Sequence, residues 1–460
     1  MKIFCESFPY LIPEKFFYFL HNLPFSFYMD VFWNKNERYS ICGFSPFIIF
    51  KSKNNKIEIK DGDEKRFSNS PISELDKILN TFKFNTNSFF VPGGIGFLSY
   101  DLAWQIEKLP NIATDDLLLP DILICFYDAF LIFDRIRKKT IFISCNFEKD
   151  IFFKTKFIEK KKSIRSLFEK SSKFRFNKKK FKIEKLCSNM SFSTYVYLIE
   201  KIKNYIKEGD VYQINFSHRF EIKGDFHPYN LFLNLKEVNP SPYSAYFNCN
   251  DFILISNSPE LFLKKSKDKI LTKPMKGTRR SGKKEFVYDL LKSEKDRAEL
   301  IMIVDLERND FGKICKYGSV KVKKLINFEK YKTVYQTTST IEGELRKNVG
   351  FEEIIRAIFP SGSITGAPKK RAMEIIEELE PTKRNFYTGS FGYFGFNENL
   401  QLNILIRTLL IKNNKIYYPV GGGIVWDSIP EKEYEETITK SRNLFIALGI
   451  KDEEIRNINI

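Results

Sequence analysis

The chain has 460 residues, of which 43% are hydrophobic and 29% charged, with a formal net charge of +18. This is the composition of an ordinary soluble globular protein, long enough for two or three domains or for one large two-layer unit. It excludes a helical membrane span, because the aromatic run over 16–29 is too short and is broken by His21, Asn22 and Pro24.

Glu6 lies close to Met1 and no long apolar core with a small-residue cleavage site follows, so no secretion signal is read and a cytoplasmic location is expected. The seven cysteines include no CxxC pair, which suggests neither a zinc site nor a disulfide framework. Only His21, His218 and His227 are histidines, and none is near the motifs below, so histidine acid/base or metal chemistry is not expected.

In chain order, residues 1–150 alternate short apolar runs with turn signals, as over 39–46 and 121–134, and predict an antiparallel sheet. The glycines over 93–101 lack a following Gly-Lys-Ser/Thr and read as strand and turn rather than a phosphate loop. Between 154 and 185, fourteen Lys and Arg stand against three Glu, a net +11. Most of the charge excess therefore sits in one stretch, which argues against nucleic-acid binding as the main function. The stretch reads as a basic linker over 151–187, or else as a docking segment for an acidic partner or RNA.

Further on, a helix is predicted over 191–207, a turn entering a strand over 208–220, and strands over 243–247 and 252–256. The segment Lys273 to Gly282, KPMKGTRRSG, reads as a strand end that turns sharply at Gly277-Thr278. A helix follows from 294 towards Gly312, and another over 368–379 with Pro368 at its first position. A strand over 402–411 leads to a hairpin, then Gly421-Gly422-Gly423, then a last helix over 430–448. Strands and helices mix without regular βαβ alternation, so the fold class is α+β, with large antiparallel sheets flanked by helices.

Four features carry chemistry. Lys276 is one of many lysines, yet a lysine among apolar groups or beside another cation can present a free amine and act as a nucleophile. Asp296 with Glu299, and Glu433 with Glu436, are spaced three apart and share helical faces. Each pair reads as a solvated face, or, if the two faces meet, as an all-oxygen site suited to Mg²⁺. Arg407 stands in an apolar strand, where it needs a carboxylate, from an internal partner or from a substrate. Glycines 421–423 read as a plain turn or as backbone that approaches the same anion.

These segments resemble the chorismate-utilising enzymes, the group that includes aminodeoxychorismate synthase component I and anthranilate synthase component I. The motifs are EGDVYQINFSHRF, PMKGTRRSG, KDRAELIMIVDLERNDFGKIC, FPSGSITGAPKKRAMEIIEELEP, YTGSFGYFG, NILIRT and GGGIVWDSIPEKEYEET, in family order over 208–437. SICGFSP and GGIGFLSYD resemble the family's first segment more loosely. The resemblance implies an anthranilate synthase component I-like fold of two large antiparallel sheets in a sandwich, with an N-terminal region over 1–150 and a catalytic region over 188–452.

It also implies roles. Glu299 and Glu436 become Mg²⁺ ligands, with Asp296 and Glu433 supporting the metal and its waters. Tyr387, Arg407 and the backbone at Gly422 and Gly423 would hold the enolpyruvyl carboxylate of chorismate, while Gly277, Thr278 and Ser363 line the ring pocket. Lys276, where anthranilate synthases usually carry alanine, would attack C2 as the 4-hydroxyl leaves, and ammonia would then add at C4. Gln336 replaces the histidine associated with pyruvate elimination, and Gln213 replaces the lysine that activates water in isochorismate synthases. The implied reaction is amination of chorismate at C4 on the way to p-aminobenzoate and folate, with anthranilate synthesis as the alternative. No glutaminase or lyase segment is recognised, so ammonia is expected from a separate glutaminase subunit and the product is expected to pass to a separate lyase. Asn239-Pro-Ser-Pro-Tyr243 matches half of the family's tryptophan-feedback site, but no clear N-terminal counterpart is found; feedback is not expected, with a structurally trapped tryptophan as the alternative.

Overall fold

The computed structural model describes residues 2–34, 37–61, 64–68, 70–86, 90–146, 153–177, 180–280, 284–330 and 334–451. Two large antiparallel sheets stack against each other. The first starts at Lys2–Pro9 and runs through Lys139–Asn146, Ala129–Asp134, Glu37–Gly43 and Phe27–Asn34. It continues through Tyr243–Asn248, Ile253–Ser258, Thr408–Lys412, Lys415–Ile424 and Gln213–Asp225 to Lys182–Ser188. The second starts at Met275–Arg280 and runs through Val334–Glu344, Lys269–Lys273, Leu261–Ser266, Leu400–Ile404 and Ser390–Gly395. It ends through Gly93–Leu98, Ile122–Phe126, Ile48–Lys53, Lys56–Asp61 and Glu64–Ser68.

Side-chain periodicity explains the layers. In Ile48–Lys53 burial alternates along the strand, as a pleat with one covered face requires. In the helix Phe351–Ile358, Phe351, Ile354, Ile355 and Ile358 are buried at the spacing of a single helical stripe. Phe27, Val31, Phe130 and Phe247 of the first sheet meet Phe97, Leu123, Phe391 and Tyr393 of the second to form the sandwich interior. The helices Pro71–Thr81, Phe351–Ile358 and Glu294–Gly312 cover the outer face of the second sheet, and Pro228–Val238 and Pro430–Leu448 that of the first.

The boundary expected at residue 150 does not separate two sheets. Phe27–Asn34 pairs with Tyr243–Asn248, and Gly93–Leu98 pairs with Ser390–Gly395, so both regions contribute to both layers. Nor are the described residues of the basic stretch a linker: they form the helix Phe153–Lys173 and the strand Lys182–Ser188. Ile164 of that helix is buried, and Phe168 stacks on Phe8 at 4.9 Å between centroids. Lys160 pairs with Asp128 at 2.5 Å, while Lys161 and Arg165 reach Glu6 at 2.6 and 2.8 Å. The lysine-rich face is thus partly neutralised by Glu6 and Asp128 of the N-terminal region, far away in sequence. Among the described residues, no helix is long and apolar enough to cross a membrane.

Candidate active site

The chain changes sheet twice at one place. Pro259-Glu260 joins Ile253–Ser258 of the first sheet to Leu261–Ser266 of the second, and residues 405–407 join Leu400–Ile404 of the second to Thr408–Lys412 of the first. The two crossings are hydrogen-bonded to each other: the Ile404 amide donates to the Glu260 carbonyl at 3.1 Å, and the Asn257 amide donates to the Arg407 carbonyl at 3.1 Å. The single strand expected over 402–411 is therefore two strands of different sheets, with Arg407 in the link. Arg407 has φ +49°, a left-handed conformation that an L-residue with a side chain adopts at a cost. A cavity of about 520 Å³ opens beside this seam, and Glu260 and Arg407 both line it.

Lys276 enters the cavity from the strand Met275–Arg280, at the end of the second sheet. The sharp turn expected at Gly277-Thr278 is instead a bulge within this strand, where the register against Val334–Glu344 shifts between Lys276 and Thr278. Gly277 takes φ +66°, and a Cβ there would lie 2.7 Å from Leu290 and 3.0 Å from Asp296. Its bare backbone lets the strand approach the helix Glu294–Gly312. The side chain of Thr278 lies outside the described residues; its backbone is opposite Gln336, which is buried and lines the cavity.

Both acidic pairs face this space. Asp296 and Glu299 come from the helix Glu294–Gly312, Glu433 and Glu436 from the helix Pro430–Leu448. The latter is set by Pro430 in its first turn and by Gly449 with φ 84° at its C-terminal cap. Glu299 Oε2 stands 3.8 Å from Lys276 Nζ, and burial raises the carboxyl above its ordinary range. Glu436 pairs with Lys440 at 2.7 Å, and that charge holds its carboxyl below the ordinary range. Asp296 accepts from Arg279 at 3.0 Å, and Glu433 accepts from Ser428 at 2.7 Å and from Lys295 at 3.4 Å.

The glycines supply the floor between the acids. Gly421, Gly422 and Gly423 lie opposite Ser217, Phe216 and Asn215, and Lys440 donates to the Gly421 carbonyl at 2.8 Å. A Cβ on Gly422 would lie 3.5 Å from Glu433 Oε2 and 3.8 Å from Glu436 Oε1; one on Gly423 would lie 3.7 Å from Glu299 Oε2. Glu299 and Glu436 thus flank two adjacent side-chain-free positions, an all-oxygen donor set that could hold a hard divalent cation. Among the described residues no three carboxylates close around one point. A two-carboxylate site fits an ion that fills its shell with water and substrate oxygens.

Ser363, Tyr387 and Arg407 also line the cavity. Gln213 does not line it: it is buried behind the glycines, with its Nε2 2.2 Å from the point where a Cβ on Gly423 would be. Sequence reasoning missed Glu260. It is buried, with one carboxyl oxygen that has no hydrogen-bond partner, and it lies close enough to Lys276 and Arg407 to feel both charges. Burial outweighs those partners and pushes its carboxyl up to about 7. Its only local signal was a glutamate after proline between two strands. Lys440 was also missed, although it stands one turn beyond Glu436.

The arrangement combines an amine, a carboxyl poised near neutrality, two carboxylates on facing helices and a cationic wall. The sequence model of the chorismate binding enzyme family matches residues 29–445. Aminodeoxychorismate synthase component 1 of Bacillus subtilis (strain 168) is 39% identical over 432 residues, covering 92% of each chain. Anthranilate synthase component 1 of Acetivibrio thermocellus is 35% identical over 435 residues, covering 90% of this chain and 87% of that one. Among solved structures, anthranilate synthase component I from Streptococcus pneumoniae TIGR4 superposes with a TM-score of 0.80 at 28% identity, covering 90% of this chain and 93% of that one.

Proposed function

The chain belongs to the chorismate binding enzyme family, and from that premise we propose that it aminates chorismate at C4, as an aminodeoxychorismate synthase component that takes ammonia from a separate glutaminase subunit. The observation that carries this reading is Lys276 inside the cavity, 11% exposed and 3.8 Å from Glu299, with Gln336 on the neighbouring strand. The identity to the Bacillus subtilis aminodeoxychorismate synthase component supports it, and the similar match to an anthranilate synthase component leaves the product as the point to test.

Chorismate is a dianion. In this reading one carboxylate lies on Arg407, Tyr387 and the backbone at Gly422 and Gly423, with Lys440 nearby. The other lies towards Glu299 and Glu436, which would hold Mg²⁺, with Asp296 and Glu433 orienting its waters. When bound, the ion supplies positive charge that offsets the ring carboxylate and fixes the ring in register. Lys276, as its free amine, then forms a bond to C2, both conjugated ring double bonds shift, and the C4–O bond breaks. Glu260, in its protonated form, gives its proton to the departing hydroxyl, which leaves as water. Ammonia adds at C4, both double bonds shift back, the Lys276–C2 bond breaks with its electrons returning to the lysine nitrogen, and the proton shed by the new amine returns to Glu260. Ser363 lines the cavity together with Glu260, and Gln213 backs the glycine floor.

The first test is to incubate the chain with chorismate, ammonium and Mg²⁺ and identify the product by chromatography and mass, with and without an aminodeoxychorismate lyase. Aminodeoxychorismate that the lyase converts to p-aminobenzoate is the expected result. Anthranilate would overturn the C4 assignment.

A further inference from the structure

Arg384 and Glu380 form a buried ion pair behind the cavity; each is 5% exposed and neither lines the cavity. A guanidinium carries five N–H groups in one plane, and that of Arg384 makes five hydrogen bonds. Nε and Nη2 donate to the two Glu380 oxygens at 2.8 and 2.6 Å. The other three reach the Ile364 carbonyl at 3.0 Å, the Thr388 hydroxyl at 3.3 Å and the Asn215 carbonyl at 2.5 Å. Glu380 also accepts from the amide and the hydroxyl of Ser217, at 2.9 and 2.8 Å. A buried charge pair is tolerated when its remaining donors and acceptors are met, and here three separate segments of chain meet them.

Each segment carries part of the cavity wall. Asn215 and Ser217 lie on the strand opposite Gly423 and Gly421. Ile364 lines the cavity beside Ser363. Thr388 follows Tyr387, whose amide donates to the Arg384 carbonyl at 3.0 Å. The same turn is tied to the seam between the sheets: the Thr388 amide donates to the Leu405 carbonyl at 3.0 Å, and the Leu405 amide donates to the Gly389 carbonyl at 2.9 Å, two residues before Arg407. Glu299 and Glu436 are placed differently. They come from the helices Glu294–Gly312 and Pro430–Leu448, which none of the five hydrogen bonds reaches.

We propose that Arg384 is a positioning residue that sets the anion-binding wall, holding Tyr387, Arg407 and the glycine floor in one frame for a substrate carboxylate. It does so without touching the substrate. A planar fork suits this task, because its donors leave in fixed directions towards separate segments. A lysine ammonium presents three donors from one point and cannot bridge Glu380 and all three segments at once. This inference rests on the reading of the cavity as a chorismate site, and is independent of where the amine is added.

The test follows chorismate consumption, whatever the product, in the wild type, Arg384→Lys and Thr388→Val. A Mg²⁺ titration at saturating chorismate accompanies each. Arg384→Lys is expected to raise KM for chorismate on the order of tenfold, with kcat within about threefold and the Mg²⁺ midpoint within about twofold. Thr388→Val keeps the branched shape and removes the hydroxyl, and is expected to raise KM on the order of threefold. A role in stability alone predicts the opposite split, since fewer folded molecules lower kcat and leave KM unchanged. That split, or a wild-type KM in both variants, would overturn the proposal, and so would a Mg²⁺ midpoint that moves as far as KM. Should Arg384→Lys fail to fold, the KM of Thr388→Val decides alone. A wild-type chain that consumes no chorismate would overturn the cavity reading and this proposal with it, whereas anthranilate as its product would overturn the C4 assignment alone.

Discussion

Lys276 Nζ stands 3.8 Å from Glu299 Oε2, so the proposed nucleophile and a proposed metal ligand face each other with neither in full contact with the other. A cation taken up by Glu299 would compete for the carboxylate that now holds the lysine, leaving the amine turned towards the ring. Lys276→Ala is expected to slow C4 amination on the order of a hundredfold or more while leaving thermal stability nearly unchanged. Single-turnover kinetics with chorismate and ammonium measure this, and undiminished turnover would remove the lysine from the chemistry.

Glu436 reaches the cavity from the helix Pro430–Leu448, in ion-pair contact only with Lys440 among the described residues. Glu436→Gln is expected to move the Mg²⁺ midpoint of activity upward on the order of tenfold. A Mg²⁺ titration that superposes on the wild-type curve would exclude it from the metal shell.

Arg407 holds its charge at the seam between sheets. Arg407→Ala is expected to raise the Michaelis constant for chorismate by the equivalent of roughly 1.5–3 kcal/mol, on the order of ten- to a hundredfold, because a charge-assisted contact is lost. An unchanged Michaelis constant with a lower kcat would place Arg407 at the transition state instead.

The carboxyl of Glu260 is raised to about 7 and that of Glu307 to about 8, each from an ordinary 4.5, so the folded chain holds protons that the unfolded chain releases. The stability this contributes is complete below about pH 4.5 and is lost as the pH rises through about 7 to about 8. Between those limits the melting temperature is expected to decline with pH in the wild type and to decline less in Glu307→Gln. Equal slopes in calorimetric scans of the two proteins would contradict the raised values.

Gly423 leaves space that a methyl group would take from Gln213 Nε2, 2.2 Å away, on the side of Glu299. Gly423→Ala is expected to cost activity on the order of tenfold or more by tilting the cavity floor, with little change in melting temperature because a flexible side chain can move aside. Wild-type activity in this variant would show that the floor tolerates a methyl group.

Much of this site was legible in the chain itself. The ends of the last helix, 430–448, were signalled by Pro430 and by the glycine after Leu448, and the spacing of Glu433 and Glu436 placed both on the same side of it. The sheet exchange at 405–407 left no such trace. Leu402 to Ile411 is apolar on both sides of Arg407 because each half is buried within a different sheet, and continuous burial reads as continuous strand. The helix Phe153–Lys173 was hidden for a similar reason: its lysines find their acids at Glu6 and Asp128, pairings that no local window contains. Glu260 and Glu307 escaped notice because a lone glutamate signals nothing until the fold shows that it is buried.

The antiparallel ladder between Gly93–Leu98 and Ser390–Gly395 closes a loop that takes in most of the chain. During synthesis the early strands must wait for late ones before the sandwich can shut, and slow, non-local pairing of this kind exposes apolar edges in the meantime. Glu436 emerges later still. Catalytic competence is therefore among the last properties a growing chain acquires, and the onset of chorismate turnover during refolding would time the completion of the whole molecule rather than of any one segment.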